Sequence, residues 1–160
     1  MSGAAVYCVD TSSLIDGYLD VYPFDVFVRL WSYIEELVQQ GRFFAPEEIF
    51  DELEDQQDDL FDWAKAHKQM FIQMGRDEDA ILRQMVSTFP QLADPIKSKS
   101  CASTADQILV AVAAAKGYVV VSEERPGSAQ KPKIPELCSY FGVQKIQFLD
   151  IVRQEGWTFP

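Results

Sequence analysis

Two short apolar runs, each leading straight into acid, constrain this 160-residue chain more than any other feature. Val6 to Val9 ends at Asp10, and Tyr118 to Val121 ends at Ser122, Glu123 and Glu124. Short apolar runs rich in valine are the signature of strands buried on both faces, and such strands belong to parallel sheets. Between and around them the apolar period changes to that of helices. From residue 25 to 40, Val26, Phe27, Leu30, Trp31, Ile34, Leu37 and Val38 define one wide apolar face, and Gly41 supplies a C-terminal stop. Arg42 to Ala45 predicts a brief strand, and Pro46 suits the first turn of a helix that turns Ile49 and Leu53 inward.

Further helices are predicted over 60–74 and 79–89, then a loop near 94–100. Ser103 or Thr104 caps a helix over 105–116 that stops at Gly117. A Pro/Gly/Ser loop over 126–132 reads as flexible, followed by a helix over 134–141, a strand near 143–146 and a helix over 148–155. Strands alternating with helices predict a single α/β domain over 1–160, a three-layer α/β/α arrangement around a mainly parallel sheet. Ligands of such folds bind beyond the carboxyl ends of the strands, where Asp10 and the Ser122–Glu124 segment lie.

Composition removes several chemistries. The three cysteines, Cys8, Cys101 and Cys138, lie far apart without a CxxC pair, which predicts buried reduced thiols rather than disulfides or a thiolate zinc site. His67 is the only histidine, so neither a histidine zinc site nor a Ser-His-Asp triad can be assembled readily, and His67 itself reads as a surface residue. No apolar stretch is long enough to span a membrane, and the start of the chain has no basic region before its first apolar run; the expectation is a cytoplasmic protein with no membrane partner. The net charge of −11 argues against a general nucleic-acid coat. Its acids concentrate from Glu47 to Asp62, a stretch with no Lys or Arg that reads as a solvated face, a docking surface for a basic partner, or a cation-gathering site.

Within this acidity four positions stand where they could converge. Asp10 ends the first strand, Glu52 borders the buried face of its helix, Asp106 lies in a first helical turn, and Glu123 and Glu124 close the second strand. Each has a plain structural reading: Asp10 and Asp106 as helix-terminus acids, Glu52 as part of the solvated face, Glu123 and Glu124 as turn residues. Taken together they suit Mg²⁺ or Mn²⁺, hard cations that prefer carboxylate oxygens and retain water. Such an ion lowers the pKa of bound water and stabilises charge developing on a phosphate.

The strings carrying these acids resemble the motifs of PIN domains. Val9-Asp10-Thr11-Ser12-Ser13-Leu14-Ile15-Asp16 is similar to the opening motif, and Pro46-Glu47-Glu48-Ile49-Phe50-Asp51-Glu52-Leu53 to the second. Ala105-Asp106-Gln107-Ile108-Leu109-Val110-Ala111-Val112-Ala113 resembles the third, and Val119-Val120-Val121-Ser122-Glu123-Glu124 the fourth. The resemblance spans nearly the whole chain and is closest to a bacterial PIN-like branch described as a domain of unknown function, related to VapC-type toxin ribonucleases. It implies that Asp10, Glu52 and Asp106 are core metal ligands, with Glu124 as the fourth acid and Glu123 as its rival. Thr11 or Ser12, with Ser122, would orient ligands or water. The implied cofactor is Mg²⁺ or Mn²⁺, and the implied reaction is phosphodiester hydrolysis in RNA by an endoribonuclease. An antitoxin protein and a homodimer are the implied assemblies. Two departures from the motif, a Glu in place of the usual fourth Asp and Ser122 in place of Thr, bear on catalytic competence.

Lys97, Lys99, Arg125, Lys131 and Lys133 are candidate backbone-phosphate contacts, set against plain solubility. The competing reading is a catalytically inactive PIN-fold protein-interaction module, favoured by the acidic segment and the altered fourth motif. A phosphoryl-transfer receiver-like domain ranks last, because the acidic pair near the first strand and the late lysine it needs do not occur in the expected form.

Overall fold

A computed structural model describes residues 3–56 and 58–160; Met1 and Ser2, from the segment inspected for a leader, and Gln57, from the acidic stretch, lie outside the described residues. Five strands form one parallel sheet in the order β3-β2-β1-β4-β5, with β1 Tyr7–Val9, β2 Phe43–Pro46, β3 Phe71–Ile72, β4 Val119–Val121 and β5 Lys145–Ile146. The helices are α1 (Thr11–Asp16), α2 (Val28–Gln39), α3 (Glu47–Glu54), α4 (Asp59–Ala66), α5 (Arg76–Thr88), α6 (Thr104–Lys116), α7 (Ile134–Phe141) and α8 (Phe148–Glu155). A π-helical turn, Gly17–Val21, extends α1.

The period of two along the strands sorts the core into two layers. Tyr7, Val9, Phe43, Val119 and Val121 pack on one face with Leu30, Trp31 and Ile34 of α2, Trp63 of α4 and Phe148 of α8. Cys8 and Val120 pack on the other with α6, Met85 of α5, and Leu137 and Cys138 of α7. This is the expected three-layer α/β/α arrangement. α6 is buried along most of its length, so its sequence is apolar nearly all round. Ser103 caps it, and Gly117 ends it at a φ of 73°, a left-handed conformation that favours glycine.

Several boundaries differ from expectation. The predicted helix over 60–74 stops at Ala66, and Lys68–Met70 is a 3₁₀ turn leading into β3. A two-residue strand offers too little alternation to be separated from a continuing helix. His67 is not a surface residue: its side chain is only 14% exposed, its ring lies 4.6 Å from that of Trp63, and its Nδ1 is 2.8 Å from the Trp63 carbonyl oxygen. The loop taken as flexible is tied down. Glu136 Oε1 accepts from the backbone N–H of Gly127 and of Lys133, each at 2.8 Å, and a Cβ at Gly127 would run into the carbonyl oxygen of Lys131.

All three cysteines are free and buried, and burial pushes the Cys138 thiol up to about 12, which keeps it protonated and unreactive. Among the described residues no helix is long and apolar enough to cross a membrane.

Candidate functional site

In strand order 3-2-1-4-5 the chain turns outward in opposite directions on the two sides of the β1–β4 pair. The carboxyl ends of these neighbours form the crevice where open parallel sheets bind ligands. Asp10 follows β1 there and is 3% exposed; Ser122 follows β4 and is fully buried. The two are joined across the crevice: Ser122 Oγ donates to Asp10 Oδ2 at 2.6 Å. Asp10 Oδ1 accepts from the Ser13 backbone N–H at 2.7 Å, so this carboxylate also caps α1. Both its structural reading and its placement at the site hold together.

Ser122 has a second task. Its Oγ accepts from the Glu124 backbone N–H at 3.0 Å, shaping the turn that carries the fourth acid. Removing the hydroxyl by Ser122→Ala leaves a buried carboxylate oxygen and an N–H short of partners. We expect a loss of about 1–3 kcal/mol in urea-unfolding stability. An unchanged midpoint would mean that neither bond matters.

Asp106 is held by a reciprocal capping box. Its N–H donates to Ser103 Oγ at 3.1 Å, and its carboxylate accepts from the Ser103 N–H at 3.3 Å. Burial first, then the negative charges of Glu124 and, more weakly, Asp10, push its carboxyl up to about 6, against the pull of the capping bonds. Burial likewise raises Asp10 from its ordinary value, while bonds from Ser122 and Ser13 oppose the rise and Glu123 adds to it. Asp10 and Glu124 are therefore near enough to Asp106 for their charges to act on it.

The two candidates for the fourth position separate. Glu124 faces Asp106; its Oε2 accepts from the Ile134 N–H at 3.1 Å, and Lys133 Nζ is 3.9 Å from its Oε1. Glu123 instead caps α8, where its Oε1 accepts from the Phe148 N–H at 2.9 Å, while its charge acts on Asp10. Glu52 is exposed on α3 and is reached from the β1 side by Thr11, whose Oγ1 donates to its Oε2 at 2.7 Å. Ser12 is exposed and touches none of these acids through the hydrogen bonds of the described residues. The adjacent Ser13, buried, does the organising instead: its Oγ accepts from the Glu123 N–H at 3.0 Å and ties α1 to the end of β4.

Sequence reasoning missed Ser13 and Glu48. Glu48 lies one turn before Glu52 on the same face of α3, and its buried Oε2 has no hydrogen-bond partner among the described residues. The available signals were the second serine of the opening string and the i, i+4 spacing from Glu52.

The basic candidates divide as well. Lys97 and Lys131 line a groove of about 630 Å³ with Gln91 and Ser100, while Lys99 and Arg125 are exposed near it in the chain. The Ala102 N–H, just before the α6 cap, donates to the Pro132 carbonyl at 2.8 Å and ties that cap to the loop carrying Lys131. Lys133 instead pairs with Glu124.

As a metal site the arrangement matches in donor type: carboxylates, of which Asp10 and Asp106 are withdrawn from water. Its spacing is open. Among the described residues no group of three or more His, Cys, Asp or Glu side chains is gathered tightly enough to hold an ion. Each oxygen of Asp10 accepts one hydrogen bond and keeps a further lone pair for an ion.

No curated protein matches the chain. One family profile does, over nearly its full length, and its description names no reaction. The chain belongs to that family, described as a domain of unknown function (DUF4411), with residues 7–159 matched.

Proposed function

We propose that the protein is a divalent-metal-dependent endoribonuclease of the PIN type, hydrolysing phosphodiester bonds in RNA. One observation carries this reading. Burial and the negative charges of Glu124 and Asp10 raise the Asp106 carboxyl, so acids from three separate chain segments act on one group and its ionised form is costly. A cation would relieve that cost. Asp10, Glu52, Asp106 and Glu124 are the residues that would hold Mg²⁺ or Mn²⁺, and such an ion supplies an activated water and charge neutralisation at phosphate when bound. Ser122 fixes the rotamer of Asp10, and Thr11 tethers Glu52 beside it. Lys97, Lys131, Lys99 and Arg125 would track the RNA backbone toward the acids. The toxin role, with an antitoxin partner and a homodimeric assembly in a bacterial cytoplasm, rests on the motif resemblance alone.

The test is calorimetric titration of the metal-free protein with Mn²⁺, followed by incubation with a structured RNA. Wild type is expected to bind Mn²⁺ and cleave the RNA, and Asp10→Asn to lose both, with cleavage down by at least about a hundredfold. Cleavage that survives in Asp10→Asn would end the proposal. A second reading, an inactive module for binding another protein, draws on the open spacing of the acids. It expects wild type neither to bind Mn²⁺ nor to cleave.

A further inference from the structure

Away from the strand switch point, the π-helical turn and the loop that follows it face α4 across a groove of about 730 Å³. Its walls combine two features that rarely occur together by default. Phe24, 37% exposed, supplies aromatic surface; its ring stacks on the buried Tyr18 at 5.6 Å between centroids, and the buried Trp63 lies 6.0 Å beyond Tyr18. Asp25, Asp59 and Asp62 supply charge at the same groove. Among the described residues Asp25 and Asp59 have no salt-bridge partner, and Asp62 meets Lys65 at 3.2 Å in an exposed pair of the kind that contributes little. The negative field reaches the rings: after burial, Asp59 and then Glu35, Asp58 and Asp62 raise the Tyr18 hydroxyl above its ordinary value.

Beside the groove the chain leaves apolar side chains in water. Val26 is 67% exposed and Val28 51%, and Leu19, Val21 and Phe27 are exposed next to them. An exposed apolar strip along one stretch of chain, residues 19–28, suits an interaction surface. A small cation would fill the acidic groove and leave that strip uncovered, whereas a polypeptide segment covers both.

We propose that this groove docks a basic segment of a partner protein, with a lysine or arginine side chain against the exposed ring of Phe24 among Asp25, Asp59 and Asp62. Apolar neighbours of that cation lie along Leu19, Val26 and Phe27. Cation–π attraction and ion pairing then act on one group, and a protein of net charge −11 draws in such a segment over long range. The inference does not depend on nuclease activity.

The test measures fluorescence anisotropy of a labelled peptide of alternating arginine and leucine, and of a sibling with glutamine for arginine, against the full chain. The arginine peptide is expected to bind at least about tenfold more tightly than the glutamine sibling. Its affinity should fall by about tenfold in the Asp59→Asn/Asp62→Asn double variant and in Phe24→Ser, with circular dichroism reporting that both remain folded. The control Asp51→Asn/Glu54→Gln, acids on α3 away from the groove, should bind as wild type. Equal affinity for the two peptides overturns the proposal. So does a loss in the control as large as that in Asp59→Asn/Asp62→Asn, since attraction would then be diffuse. A wild-type dimer in size-exclusion chromatography that Phe24→Ser converts to monomer also overturns it, the occupant then being a second copy of the chain.

Discussion

Asp106→Asn is expected to abolish Mn²⁺ binding and RNA cleavage while making the metal-free protein more stable at neutral pH. The two effects have one origin. Burial and the neighbouring Glu124 and Asp10 charges raise the Asp106 carboxyl from an ordinary 3.8 to about 6. Below the ordinary value the group is protonated folded and unfolded alike, and folding carries no penalty. Between there and about 6 the unfolded chain releases its proton and the folded one holds it, so stability falls as pH rises. Above about 6 the folded protein bears the full cost of the ionised form. Asparagine bears none of it, and its side-chain oxygen can still accept from the Ser103 N–H. The variant should therefore gain roughly 1–3 kcal/mol above pH 6, the lower end reflecting water that reaches the partly exposed carboxyl. Thermal melts at pH 7.5 should rise by several degrees, and the advantage should vanish near pH 4. A variant no more stable than wild type at pH 7.5 would mean that the acids do not strain one another. Saturating Mn²⁺ should reverse the order, stabilising wild type alone.

Arg42→Met is expected to cost about 2–4 kcal/mol and leave Mn²⁺ binding intact. Arg42 sits at the amino ends of the strands, opposite the acids. Its Nη2 is 2.6 Å from Glu155 Oε2, and its Nε donates to the Ala5 carbonyl at 2.9 Å. The hydroxyl of the fully buried Tyr7 donates to the same Glu155 oxygen at 2.6 Å. Methionine keeps much of the volume and strands a largely buried carboxylate. Adding Glu155→Gln should recover part of the loss, which makes the double-mutant cycle diagnostic of the pair. Burial pushes the Glu155 carboxyl up, but Arg42 and Tyr7 outweigh burial and hold it below the ordinary 4.5. Its contribution is therefore complete above the ordinary value and lost as pH falls through the folded one. Denaturant melts from pH 7 to 3 should show wild type and Arg42→Met converging; a constant gap would place the cost in packing instead.

The layered fold was legible because β1 and β4 are apolar over every residue and end abruptly in polar ones, a pattern few other architectures produce. The α7 and α8 boundaries were legible for a similar reason, since Gly142 and Gly156 each end a strongly amphipathic helix. β3 was not, because two residues carry no period. Asp10 was legible as the residue that ends β1 and caps α1, and Asp106 as a first-turn acid of α6. Glu123 against Glu124 could not be decided from adjacent residues of one type; it depends on which carboxylate meets the N–H groups of α8. Ser13 and Ser12 pose the same problem, for only the turn of α1 determines which hydroxyl faces inward. Glu52 remains the least determined of the acids, being an exposed side chain tethered through Thr11.

The sheet's outer strands, β3 and β5, are two residues long each. A strand of that length offers only a few free backbone donors and acceptors on its open side, too few to template the addition of another chain. The sheet is thus closed to growth by brevity, and on β5 the charged Lys145 adds to it. Self-association of the folded protein has to proceed through helix faces and loops. Amyloid-like stacking would first require local opening that frees the valine-rich β4 from its position between β1 and β5.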